Sequence, residues 1–270
     1  MIDLPDTSNI EDIADWVEYY IISKNEVLSK AKIGRLLEID DNVLDSVLNE
    51  LHTRLSLYGV ISPFNIKDAN LIPRTRWDNS PELALCLIFS SFGVRKRKGE
   101  DDGTKLFERL CKEAIVGYLC GEAEVIGFPN VEELKQQIRD LSVKTYEKLG
   151  SRSPRPVDKD KGVDIIAWKP HNDGRDNQIV LLLQCGAGKY FRTKKAISIA
   201  AWNDFINWSA EPIKGIMVPC IVSKDDWVEI RDDYNMIFDR VRILRAVHKM
   251  KYTDKHLKRE MLEWCRDQLN

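Results

Sequence analysis

The chain has 270 residues, 43% of them apolar and 31% charged. That balance excludes disordered, collagen-like and disulfide-stapled miniature proteins and leaves room for a sizeable core. Its 41 Lys and Arg against 43 Asp and Glu give a formal charge of -2, so any nucleic-acid binding must use a local basic patch, not global charge. The six cysteines form no CxxC pair and have no zinc-like spacing to the four histidines, which points to a reducing, cytoplasmic setting. No apolar run approaches the roughly 18 residues of a membrane span, and the acidic opening MIDLPDTSNIEDIADWVEYY is unlike a signal peptide.

In chain order the first signal is helical. Ile10, Ile13, Ala14, Val17 and Ile21 recur at helix spacing, as do Val43, Leu44, Val47, Leu48, Leu51 and Leu55 behind the acidic start Asp40-Asp41. Between them lies a third apolar set, Val27 to Leu37, and after them GVISPFNIKDANLIPRTRW reads as a turn-broken hairpin. Three helices and a hairpin fit a winged-helix module with the hairpin as wing. They fit a helical platform without DNA contact equally, since the third helix exposes more acid than base. Leu83 to Phe89 is a core-sized apolar run, and the charge-dense GVRKRKGEDDG that follows marks the expected boundary between residues 1–92 and 93–270.

The second part predicts a helix over 104–119, an extended piece over 123–128, a helix over 131–149 and the basic loop SRSPRPVDKDKG. Strands over 163–168 and 179–185 follow, joined by HNDGRDNQ, then a helix over 194–208, a strand over 215–222 and terminal helices from about Tyr234. The expected fold class is α/β, a small mixed sheet flanked by helices with a mostly helical N-terminal domain.

The candidate chemistry lies at the ends of the two central strands. Asp164 opens the apolar run VDIIAW and Gln184 closes IVLLLQ. An acid facing an amide at a sheet rim outlines a hard-cation site, which the backbone carbonyl of Cys185 can complete. Lys189 follows through a Gly-Ala-Gly step, with Lys194 and Lys195 beyond. A lysine near a bound metal orients water and offsets charge on a scissile phosphate. Arg155, Lys161, Arg192, Lys194 and Lys195 surround these strand ends in sequence and form a candidate backbone-tracking patch for nucleic acid.

The segments GVDIIAW and QCGAGK, with the preceding helix TKLFERL, resemble the core of the restriction-endonuclease-like, or PD-(D/E)XK, nuclease superfamily over roughly residues 104–222. The resemblance implies a restriction-endonuclease-like mixed sheet and a Mg2+- or Mn2+-dependent endonuclease acting on DNA. It further implies bacterial defence against phage as the setting, with a homodimer or other defence subunits as partners. In that reading Asp164, Glu108 and the Cys185 carbonyl hold the metal, Gln184 completes the site and Lys189 positions water. Two departures stand out: Gln184 replaces the usual carboxylate, and Gly186 stands where the family's lysine would be, passing that role to Lys189, Lys194 or Lys195.

Plainer readings remain open for each residue. Asp164 could pair with Lys161, Glu108 with Lys105 or Lys112, and Gln184 could merely satisfy a strand end. The Cys185 thiol lacks a neighbouring histidine and reads as inert; His171 reads as an exposed loop residue. GAGK lacks the length and following Ser or Thr of a phosphate loop. The alternative function is an inactive nuclease-fold module that binds DNA or a partner protein. A more distant one is a regulator that binds DNA through residues 1–92.

Overall fold

A computed structural model describes residues 4–94, 103–127, 130–188, 191–248 and 250–269. The described chain forms two compact units. One holds the chain up to Leu106 and again from Lys255; the other holds Phe107 to Asp254 apart from a short loop after Gly186.

The first unit begins with α1 (Ile10–Lys24), whose N-cap Asn9 accepts the backbone N–H of Glu11 and Asp12, with acid in the first turn and Lys24 in the last. These satisfy the orphan donors and complement the helix dipole. β1 (Leu28–Ser29) leads into α2 (Lys30–Leu37), capped by Ser29, and α3 (Asp41–Tyr58), capped by Asp40. The expected hairpin is present as β2 (Phe64–Lys67) and β3 (Asn70–Pro73). Its two turn residues, Asp68 and Ala69, both have positive φ, the geometry that matches strand twist in a tight hairpin. β1 joins it to give the antiparallel order β1-β3-β2. Helix, strand, two helices and hairpin follow one another in that order. α4 (Pro81–Phe92) starts on proline and is buried on all sides, as its apolar run requires.

The second unit is built on a five-stranded mixed sheet. α5 (Thr104–Leu119) precedes β4 (Glu122–Val125), followed by α6 (Val131–Thr145), the short β5 (Lys148–Leu149) and the central pair β6 (Ile165–Lys169) and β7 (Ile179–Cys185). Then come α7 (Ile199–Asn203), β8 (Ile206–Asn207), β9 (Ile213–Met217), α8 (Lys224–Asp233), β10 (Met236–Phe238) and α9 (Arg240–Val247). The sheet order is β10-β9-β7-β6-β4. β4, β6 and β7 run antiparallel, while β7, β9 and β10 run parallel through the crossovers that carry α7 and α8. The expected mixed sheet flanked by helices is therefore the observed one. Ile166, Trp168, Val180 and Leu182 pack with Leu134, Ile138 and Leu141 of α6 and with Trp202 and Phe205. Near-continuous apolar runs in β6 and β7 reflect burial on both faces.

Three expectations are corrected. The helix over 194–208 shrinks to the five-residue α7, preceded by one 3-10 turn (Phe191–Thr193), because Ser198 caps the helix only there and Ile206–Asn207 pairs with β5. The helical reading from Tyr234 begins instead with β10, which Asp239 ends by capping α9. The last helix, α10 (Leu257–Leu269), belongs to the first unit, although sequence order placed it with residues 93–270. There Trp264 stacks on Phe89 at 5.5 Å and fills the space beside Gly103. The expected boundary at 92/93 adjoins residues 95–102, which lie outside the described residues.

Candidate functional site

The site grows from the point where the central hairpin stops being a hairpin. The register pairs Ile165 with Leu183, so the next step outward sets Asp164 opposite Gln184. The Asp164 backbone is held from both sides: its N–H donates to Leu183 O at 2.9 Å and its carbonyl accepts Ile126 N–H at 2.8 Å. Gly162, in left-handed conformation at φ 77, turns the chain in just before it. Gly186 N–H bonds Met217 of β9, so by strand alternation the backbone groups of Cys185 face the β6 edge, beyond the end of the ladder. Side chains take them instead. Asp164 Oδ2 accepts Cys185 N–H at 2.6 Å, and Lys194 Nζ donates to the Cys185 carbonyl at 2.6 Å.

An anionic and a cationic side chain are thus gathered on one residue at a strand end. Burial pushes the Asp164 carboxyl up from its ordinary value, with the Asp160 charge helping, while the Cys185 N–H and the Lys194 charge oppose the rise. Asp164 does not pair with Lys161, which bonds Asp158 at 2.8 Å. Glu108 on α5 is half-buried, and its charge, with that of Asp164, acts on the Cys185 thiol. A hydrogen bond with the Cys111 side chain pulls that thiol down; burial and the two carboxylates outweigh it and leave the thiol above its ordinary value. An inert thiol is the reading this favours.

Gln184 is buried, and its Oε1 accepts the hydroxyl of Tyr234 at 2.5 Å. Burial, with the charges of Asp233 and Asp164, pushes the Tyr234 phenol up to about 12, so it is a neutral donor. Sequence reasoning missed Tyr234 by merging it into a helix. The signals that could have found it are the Ser223 cap with Asp225 and Asp226 behind it, which start a separate helix, and the apolar Met236–Phe238 ahead of the Asp239 cap.

Of the expected cationic residues, Lys189 lies outside the described residues. Arg155 and Lys161, with Arg152, converge on the buried carboxylate of Asp158, whose pKa the Arg155 and Lys161 hydrogen bonds hold far below the carboxylate range. Arg192 pairs with Asp226. Lys195 is exposed, and His171 is exposed on its loop. The basic patch is therefore largely matched by acid, and Lys194, expected on nucleic acid or in the role of the family's lysine, is among the described residues the cation that meets the strand ends.

A divalent cation is the cofactor the resemblance implies. Among the described residues, no group of three His, Cys, Asp or Glu side chains is disposed to hold a metal. The oxygen donors near Cys185, of the kind a hard cation takes, are the Asp164 carboxylate, the Cys185 carbonyl and Glu108; the thiols of Cys185 and Cys111 lie beside them. They fit Mg2+ or Mn2+ in kind, but the Cys185 carbonyl already carries the Lys194 ammonium, with which a cation would share it. Among the described residues, no helix is long and apolar enough to cross a membrane.

No protein-family model and no curated protein matches the chain. Among solved structures, the restriction endonuclease MspJI in complex with a 27-mer oligonucleotide overlaps at 16% identity with a TM-score of 0.24, over 64% of this chain and 37% of that one. The restriction endonuclease FokI bound to DNA overlaps at 10% identity with a TM-score of 0.23, over 95% of this chain and 47% of that one. The chain spans less than half the length of either.

Proposed function

We propose that the chain is a metal-dependent phosphodiester hydrolase, a DNA endonuclease of the restriction-endonuclease-like kind, with bacterial defence as its setting. One observation carries the reading: Asp164 and Lys194 meet on the two backbone groups of Cys185, at 2.6 Å each, where the β6–β7 ladder ends. That is the order of parts the resemblance implies, an acid on one strand and a lysine brought to the end of the next. The lysine, however, comes from beyond a loop, as the absence of one at Gly186 requires.

In this reading Asp164, the Cys185 carbonyl and Glu108 hold a Mg2+ or Mn2+ ion, which when bound activates water and neutralises phosphate charge. Lys194 supplies a fixed positive charge at the scissile phosphate, the group that must stabilise developing negative charge. Lys189 remains a candidate for positioning water. Arg155, Lys161, Arg192 and Lys195 line the approach of the nucleic-acid backbone, the first three with their charge shared with acid. A homodimer would cut both strands of a duplex.

The test is incubation of the purified chain with supercoiled plasmid in Mg2+, Mn2+ and EDTA, beside Asp164→Ala and Lys194→Ala. Metal-dependent nicking that each variant lowers by about a hundredfold or more supports the reading. Cutting that survives EDTA or both substitutions overturns it. The second reading, a nuclease-fold binder without hydrolysis, draws on the absence of a three-acid cluster among the described residues; retained DNA shifts with no metal-dependent cutting select it. Neither reading uses α3 as a DNA reader. Its one Lys or Arg, Arg54, is buried, and its exposed positions are Asp41, Asn42, Asp45, Ser46, Asn49, His52, Thr53, Ser56 and Leu57.

A further inference from the structure

We propose that Gln184 presents its amide N–H, not its oxygen, to the reacting phosphate, and that Tyr234 is the positioning residue that fixes this orientation. The inference rests on the hydrolase reading and changes the part played by one of its residues. A glutamine that replaces an acid is most simply taken as a neutral substitute ligand, its carbonyl oxygen facing the cation. The geometry here points the other way. The oxygen is spoken for: Tyr234 Oη donates to Gln184 Oε1 at 2.5 Å, and burial keeps that phenol protonated. Gln184 and Ile216 are register partners on β7 and β9, and Ile216 packs in one cluster with Tyr234, so the tyrosine approaches Gln184 from that face of the sheet.

With Oε1 turned to Tyr234, the amide nitrogen turns toward the loop that delivers Asp164. A Cβ built on Gly162 would lie 3.1 Å from Nε2, so glycine at this left-handed position also leaves the amide its space. Among the described residues no acceptor meets Nε2. An amide nitrogen with two donors and no acceptor, on a residue only 6% exposed, is poorly suited to a metal and well suited to an anionic oxygen. The ligand class that fits is a phosphodiester, bonded by Nε2 on one oxygen with Lys194 supplying charge nearby. On this assignment the missing carboxylate changes the role of the position: it binds substrate and adds nothing to cation affinity.

The discriminating substitution is Gln184→Glu, because the two roles predict opposite signs. For a ligand position, restoring the carboxylate tightens Mn2+ in a calorimetric titration without DNA and lowers the metal concentration needed for plasmid nicking. For an anion donor, Mn2+ affinity is not tightened, and KM for the plasmid rises by roughly tenfold, the effect of losing one hydrogen bond to a charged group. Tyr234→Phe raises KM in the same direction by a smaller factor and changes kcat less. Gln184→Met keeps the volume, removes both polar atoms and guards against misfolding of the glutamate variant. Binding of a labelled DNA duplex in EDTA separates this inference from the hydrolase reading. There Gln184→Glu and Gln184→Met each weaken retention, whether or not the chain cuts. Mn2+ tightened by Gln184→Glu, or duplex retention equal in all three proteins, overturns the donor assignment. Loss of metal-dependent cutting alone overturns only the hydrolase reading.

Discussion

Each of the two units contains a gathering of charge, buried in the first and at a partly exposed strand end in the second. In the first, Arg54 is fully buried and reaches Asp15 and Glu18, both buried, as well as Glu50 on its own helix and the Glu11 carbonyl, while Tyr58 bonds Glu18 at 2.7 Å. Acid and base there hold α1 and α3 together. In the second, Asp164 and Lys194 share one residue, Cys185, at a strand end where Lys194 is exposed. A closed network of buried charge specifies packing. A charge pair at a partly exposed strand end leaves its groups within reach of solvent and ligand. The contrast gives a way to separate structural from chemical charge: ask whether the charged groups are sealed from solvent.

The strongest challenge to that contrast is Arg54→Met, which strands two buried carboxylates. It should cost about 3–5 kcal/mol of stability in urea unfolding, and a loss under about 1 kcal/mol would show the network to be less closed than described. Asp164→Asn should do the opposite in EDTA. Because burial disfavours the charged form, neutralising it leaves the melting temperature unchanged or higher, while Asn still offers an oxygen to the Cys185 N–H. A marked fall in melting temperature would make Asp164 a structural charge like Asp15.

A third case, Asp158, sharpens the comparison within the second unit, since its three cationic partners close the cluster. Its carboxyl is depressed in the folded state, so its stabilisation is present above the unfolded value near pH 3.9 and is lost as pH falls toward the folded one. Asp158→Asn should therefore melt several degrees lower at pH 7, with the gap to wild type narrowing below about pH 4. A gap that stays constant with pH would remove the charge from the explanation. The smallest effect is expected at Cys185→Ala. Since the backbone of Cys185 and not its thiol meets the charges, plasmid cleavage should change by less than about twofold, and a larger fall would bring the thiol into the chemistry.

Much of the second unit could be read in advance because its central strands announce themselves. VDIIAW and IVLLLQ carry apolar runs with a polar residue near one end of each, so the antiparallel pair and the setting of Asp164 opposite Gln184 in register followed from period and length. The 194–208 region misled because Trp202, Phe205 and Trp208 recur at helix-like spacing. They face one core from a short helix, from the turn after it and from the end of a two-residue strand, which periodicity alone cannot distinguish. The packing of α10 in the first unit depends on Trp264 meeting Phe89, a contact between residues far apart in sequence and without a local signal. The choice among lysines had the same limit. A loop fixes no direction for the cations that follow it, and only the three-dimensional fold assigns Lys194 to the Cys185 carbonyl.

The attachment of both charged groups to the main chain of residue 185 has a consequence for how this protein tolerates change. A side-chain replacement at 185 leaves the anchor intact, because every amino acid except proline has the same N–H and C=O to offer. A single-residue insertion or deletion within β7, by contrast, turns those groups toward β9 and separates the acid from the lysine even though every residue survives. Replacement by another small apolar side chain at this buried position should therefore be tolerated, whereas changes in strand length should be strongly selected against, the reverse of the pattern expected where a reactive side chain does the work.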